Sequence, residues 1–186
     1  MVVMDITLIT PPRSASNFFM ENLVKATDSI KFHKSHTFDN FFKSPLNISI
    51  IRDPQECIAS TISLDIEAAK ELSLAGFSIL ENSQRIGVRV DYYVKFLKIL
   101  KNSDNFIVFK YEEVIKNPEK YISFCAEKLN IAYEIKEIIP NDKLFNDGYY
   151  PTSLNFEHYS DVLNQVKLAD LTECYAMYDS IDFTVL

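Results

Sequence analysis

No apolar run in this sequence approaches the roughly 18 residues that a bilayer-spanning helix needs. The first residues enter a strand-like segment with no basic stretch or cleavage site ahead of it. A membrane-bound chain is therefore not expected, and a cytoplasmic one is. Glycine is scarce, at three residues, and proline numbers seven, too few for flexible linkers or low-complexity tracts. The three cysteines, Cys57, Cys125 and Cys174, are odd in number and widely spaced. That fits neither a disulfide framework nor a zinc site, and buried free thiols are expected. Basic excess is lacking as well. A formal charge of −7 argues against a nucleic-acid partner, since such proteins carry a basic stripe to neutralise phosphates. What is plentiful is packing material: 47% of the 186 residues are hydrophobic, with 14 Phe and 10 Tyr. One domain spanning residues 1–186 is the expectation.

Residues 2–10 are apolar and β-branched and stop at Pro11-Pro12, as a buried strand does. From Ser16 the spacing of Phe19, Leu23 and Val24 turns helical, with Glu21 early in the helix. Residues 30–36, 47–51 and 106–110 predict three further strands. Asp53-Pro54-x-Glu56 is a helix start with an N-cap, proline at the first helical position and Glu three residues after the cap. That helix is expected to run to about Lys70. Ile86, Val90, Tyr93, Val94, Leu97 and Leu100 mark one face of a long helix. Asn117-Pro118 opens another, and residues 156–178 hold two more, parted near Lys167. Strands alternating with helices predict an α/β fold of three layers, P-loop-like. A central parallel sheet of about four to five strands would be flanked by helices, with the ligand beyond the strands' carboxyl ends.

Two segments at such ends carry chemistry. Thr10-Pro11-Pro12-Arg13-Ser14-Ala15-Ser16-Asn17-Phe18 is a strand-to-helix turn with one cation and several hydroxyl and amide groups. It suits a phosphate or sulfate, because the free N–H groups of a helix start face the anion and the helix dipole favours it. A capped helix with an exposed Arg would read the same way. The GxxxxGK[ST] form is absent, which disfavours an ordinary ATPase or GTPase. In the second segment, Arg52 leaves an apolar strand directly before the Asp53-Pro54 helix start, and Ser60 follows two turns into that helix. The helix start explains itself; the Arg does not, since its rigid donor fork matches a phosphate and would be costly to desolvate unpaired. His33-x-x-His36 lacks an evident third partner for a metal.

Together these segments resemble the sulfotransferase family, along most of the chain. The turn from Arg13 to Phe18 is similar to its 5′-phosphosulfate loop, PKSGTTW or PRSGT. Arg52 and Ser60 resemble the Arg and Ser of its 3′-phosphate motif. Phe109-Lys110-Tyr111-Glu112-Glu113-Val114 with Asn117-Pro118 resembles its YEDL and following DP, and Lys34-Ser35-His36 its KTH. The resemblance implies that Arg13, Ser14, Ala15, Ser16 and Asn17 cradle the phosphosulfate of 3′-phosphoadenosine 5′-phosphosulfate (PAPS), the co-substrate. It places Phe18 against the adenine, Arg52 and Ser60 on the 3′-phosphate, and Tyr111 on the adenine side. It makes His36 the base and puts Lys34 at the sulfuryl oxygens. The sulfuryl group would pass in line, without a metal, to a hydroxyl or amine of a small-molecule, carbohydrate or peptide acceptor. Cations and oriented N–H groups would stabilise the spread charge.

The chain departs from the family pattern where Ala15 stands for the usual Gly, and in lacking a counterpart of the C-terminal RKGxxG. Lys143 with Asn146-Asp147-Gly148 reads as an ordinary turn. A small-molecule or nucleoside kinase on a related fold, and a nucleotide-binding protein without turnover, are the alternatives.

Overall fold

The computed structural model describes residues 3–27, 29–38, 44–74, 82–140 and 158–186, with side chains excepted for 69–74. Lys143 and the Asn146-Asp147-Gly148 turn lie outside these residues. In chain order the elements are β1 (Met4–Ile9), α1 (Ser16–Ala26), β2 (Ile30–Ser35), β3 (Leu46–Ile51), α2 (Pro54–Leu74), α3 (Asn82–Lys101), β4 (Ile107–Lys110), α4 (Tyr111–Lys116), α5 (Pro118–Lys128), α6 (Tyr159–Lys167) and α7 (Thr172–Asp179).

The four strands form one sheet in the order β2-β1-β3-β4, and every pairing is parallel. Strand alternation divides the core into two faces. Ile6, Leu8, Ile48, Ile50 and Phe109 pack with α1 and α5 through Phe19, Leu23, Tyr121, Ile122 and Cys125. Ile9, Ile51 and Val108 pack on the other face with α2, α3, α6 and α7, through Ile58, Ile62, Tyr93, Leu97, Val162 and Cys174. Hence three layers are formed, as the alternation of strand and helix patterns predicts. Phe109 is wholly buried and meets Phe19, Tyr121 and Phe124 edge-on at centroid distances of 6.2, 4.8 and 5.9 Å. Burying one such ring contributes roughly 1.5–3 kcal/mol, so this cluster is a main anchor of α1 and α5 on the sheet.

All three cysteines are buried and unpaired, as expected. No helix among the described residues is long and apolar enough to cross a membrane.

One element was not read from the sequence. The YEEVIK segment is a helix, α4, that begins at Tyr111 directly after β4. Asn117 does sit at the start of α5 with Pro118 at its first position, but its side chain makes no cap. The amide instead donates to Glu113 Oε2 at 3.3 Å.

The strand order places the site. After β1 the chain crosses to β2 on one side, and it then returns to β3 on the other, so the carboxyl ends of β1 and β3 are neighbours at a reversal of direction. Open parallel sheets bind ligands in such crevices. The Arg13 turn leaves the end of β1, and Arg52 leaves the end of β3.

Candidate anion-binding and transfer site

The turn after β1 is held in an unusual backbone state. Arg13 has φ 66° and Ala15 φ 55°, both in the left-handed region that a side chain disfavours. Ala15 is the residue before α1, and no side chain caps this helix. Its first N–H groups therefore have no side-chain acceptor from Ala15, which leaves the arrangement that suits an anion. Ala15 thus occupies a position that favours glycine. Ala15→Gly is expected to raise stability by about 0.5–1 kcal/mol, the left-handed strain less the added chain entropy of glycine. Denaturant melts check this, and a less stable variant would show the strain to be absorbed elsewhere.

Beneath the turn, Ser14 is fully buried. The Cys57 thiol donates to Pro12 O at 3.2 Å and lies 3.9 Å from Ser14 Oγ, so α2 supports the turn from below. Arg13 Nε donates to Ser60 Oγ at 3.2 Å. Ser60, expected to share one anion with Arg52, is thus bonded to the turn. Burial lowers the pKa of Arg13, and the nearby charge of Arg52 lowers it further. The turn after β1 and the end of the neighbouring strand β3 thus each contribute one guanidinium group to this end of the sheet.

Arg52 is oriented from several directions. Its Nη2 donates to Glu56 Oε2 at 3.1 Å, and its guanidinium carbon lies 4.7 Å from the centroid of the Tyr111 ring. Tyr93 Oη donates to its main-chain carbonyl. Glu56 also accepts a hydrogen bond from Tyr159 Oη of α6. The helix start at Asp53 is therefore only half of the reciprocal cap that its sequence suggests. Asp53 Oδ1 accepts from Glu56 N at 3.1 Å, but the N–H of Asp53 reaches Glu112 Oε1 at 3.3 Å, and the Glu56 carboxylate serves Arg52 instead. Tyr175 Oη of α7 donates to the Asp53 carboxylate at 3.2 and 3.3 Å. The C-terminal helices thus brace the second segment.

At the end of β2, Lys34 Nζ donates to Asn17 Oδ1 at 2.5 Å, tying the strand end to the first turn of α1. Lys34 is exposed by surface area, yet desolvation around its ammonium lowers its pKa. His36 Nδ1 lies 2.9 Å from the carbonyl of Thr10. A carbonyl only accepts, so Nδ1 carries the proton and the neutral ring keeps its lone pair on Nε2. Burial lowers the pKa of His36, the Thr10 carbonyl partly offsets this, and Lys34 adds to the lowering. The other histidine of the pair is engaged differently: His33 Nε2 bonds Asp5 Oδ1 at 2.8 Å across β1 and β2.

The structure brings Arg13, Ser60, Asn17, Lys34 and His36 to the ends of β1 and β2, with Arg52 and Tyr111 adjoining at β3 and β4. Phe18, expected against the adenine, is 3% exposed and belongs to the α1 face of the core, which by itself accounts for an aromatic residue there. The sequence reading missed Glu56, Tyr92, Tyr93, Tyr159 and Tyr175. Only Glu56 carried a signal, and a helix cap explained it. No group of three or more potential metal ligands is found among the described residues.

The sulfotransferase domain family matches residues 20–146 of the sequence, more than half of the chain. The chain belongs to this family, and its activity class is sulfuryl transfer from PAPS, which sets aside the kinase alternative. The matched segment takes in Lys34, His36, Arg52, Ser60 and Tyr111 and starts after the Arg13 turn. No curated protein matches the sequence significantly. Among solved structures, the sulfotransferase domain from the curacin biosynthetic pathway superposes with a TM-score of 0.56 at 12% identity, covering 100% of this chain and 99% of that one. This likeness bears out the fold. Mouse sulfotransferase SULT7A1 complexed with PAP gives a TM-score of 0.45 at 14% identity, covering 95% of this chain and 87% of that one.

Proposed function

We propose that the crevice at the ends of β1 and β3 holds PAPS, with the phosphosulfate over the Arg13 turn and the 3′-phosphate at Arg52. The observation that carries this reading is the placement of Arg13 and Arg52 just beyond the ends of the neighbouring strands β1 and β3, with Arg13 bonded to Ser60 of the helix that follows Arg52. Arg13, Ser14, Ala15, Ser16 and Asn17 form the cradle. Ser60 stands between the two arginines in role, bonded to Arg13 and eight residues beyond Arg52. Tyr111 holds the guanidinium face of Arg52 on the adenine side, and Phe18 supports the turn.

His36 accepts the acceptor's proton at Nε2 as the new bond from the acceptor oxygen or nitrogen to sulfur forms. The bond from sulfur to the bridging phosphate oxygen breaks, and 3′-phosphoadenosine 5′-phosphate departs with that electron pair. Lys34 and Arg13 meet the charge that builds on the transferring and leaving oxygens. These cations supply the charge stabilisation in this scheme, which uses no metal. The acceptor is a hydroxyl or amine of a small molecule, carbohydrate or peptide, and residues 1–186 act as a single domain. Three buried free thiols fit a reducing, cytoplasmic setting.

Calorimetry with 3′-phosphoadenosine 5′-phosphate against 5′-AMP tests the nucleotide reading. The bisphosphate is expected to bind at least about tenfold more tightly, since a charge-assisted hydrogen bond contributes roughly 1.5–3 kcal/mol. Equal affinities would remove Arg52 from the 3′-phosphate.

A further inference from the structure

Two adjacent tyrosines of α3 reach the two halves of this site. Tyr92 Oη donates to the main-chain carbonyl of His36, and Tyr93 Oη donates to that of Arg52. Successive helical residues point about 100° apart, so one rung of α3 reaches both the segment after β2 and the end of β3. We propose that Tyr92 and Tyr93 are positioning residues, Tyr92 setting the base His36 and Tyr93 setting the anion ligand Arg52. The inference rests on the roles proposed above for those two residues.

The surroundings support a fixed rather than an incidental contact. Tyr93 is 1% exposed and packs in the core with Ile9 and Ile51, at the ends of β1 and β3. Tyr92 is seated beside Phe96, with centroids 6.2 Å apart. Phe96 in turn meets Phe38 at 5.0 Å, so the chain just beyond His36 is held to α3 at two points. Burial pushes the pKa of Tyr92 up to about 12 and that of Tyr93 well above its ordinary value. Both hydroxyls therefore remain donors across the working pH range. A carbonyl held at Arg52 restrains the backbone from which its guanidinium extends, and one held at His36 restrains the ring that binds Thr10 O. A site needs its groups placed within about 0.5 Å by such supports.

The test uses Tyr92→Phe and Tyr93→Phe, each of which removes one hydroxyl and keeps the ring. Two readouts are taken: calorimetry with 3′-phosphoadenosine 5′-phosphate, and NMR titration of the three histidines, with His36→Ala fixing the assignment. Tyr93→Phe is expected to weaken bisphosphate binding about 3- to 10-fold, the range of one net hydrogen bond, and to leave the His36 titration unchanged. Tyr92→Phe is expected to move the pKa of His36 up toward its ordinary value, because a less restrained ring is less desolvated, while bisphosphate affinity stays within about twofold. A purely structural role would lower both melting temperatures and produce no such crossed pattern, and that result overturns the inference. If Tyr93→Phe does not fold, an unchanged His36 titration in Tyr92→Phe overturns it alone. Arg52→Ala with wild-type bisphosphate binding would remove the nucleotide reading and the Tyr93 half with it. That outcome is separate from a silent Tyr93→Phe in a protein whose Arg52 does matter, which overturns this inference only.

Discussion

His36→Ala should lower kcat by about 10² or more, the contribution of a positioned general base, and leave affinity for 3′-phosphoadenosine 5′-phosphate nearly intact. The loss falls on turnover because the base acts on the acceptor's proton and makes no ground-state contact with the nucleotide. The experiment needs an acceptor, found by screening phenols, sugars, amines and peptides with labelled donor. The sign of the pH dependence follows from the ring's environment. The base works in its neutral form, and burial lowers the pKa of His36 below 6.5. Activity should therefore hold as pH falls through 6.5 and decline only below it, and this acid limb should vanish in His36→Ala. His33→Ala, whose ring is taken up by Asp5, should change turnover far less. Wild-type turnover in His36→Ala would move the base to a carboxylate such as Glu112.

Arg52→Ala should weaken binding of the bisphosphate by about 1.5–3 kcal/mol, the worth of hydrogen bonds to a charged group, or roughly 10- to 150-fold. Binding of 5′-AMP should change much less, since it lacks the phosphate that Arg52 is proposed to hold. The variant is expected to fold. Its Glu56 carboxylate is more than a third exposed and keeps the hydroxyl of Tyr159, so loss of the guanidinium does not strand a buried charge. A collapsed fold would instead make Arg52 a structural member of its pair with Glu56. Calorimetry for affinity and a thermal melt for integrity separate the two outcomes.

The fold was legible where one physical requirement dominated. β1 and β3 are buried on both faces and read as apolar runs, and α2 announces itself through Asp53, Pro54 and Glu56. α4 was hidden because its six residues follow β4 without a break, too short for a helical period to show. The site was legible through its cations, since an Arg at the end of an apolar strand is expensive without a ligand. Its supports were not. Tyr93 falls on the apolar stripe of α3 and reads as core, and Tyr92, one residue earlier, reads as surface. Glu56 already had an explanation as a cap residue, so its bond to Arg52 left no mark. The bond between Arg13 and Ser60 left no mark either, because no sequence pattern reveals the backbone state of the Arg13 turn.

The thiol beneath the Arg13 turn makes the turn's opening countable. Cys57 is 2% exposed, and burial pushes its pKa up to about 12, so the reactive thiolate is scarce in the closed form. Its alkylation then proceeds chiefly through moments when the Pro12 carbonyl lets go and solvent enters, and the modification rate becomes a clock for that event. Cys125 is buried on the opposite side of the sheet and runs as an internal reference, because its exposure requires α5 to leave the sheet rather than the turn to lift.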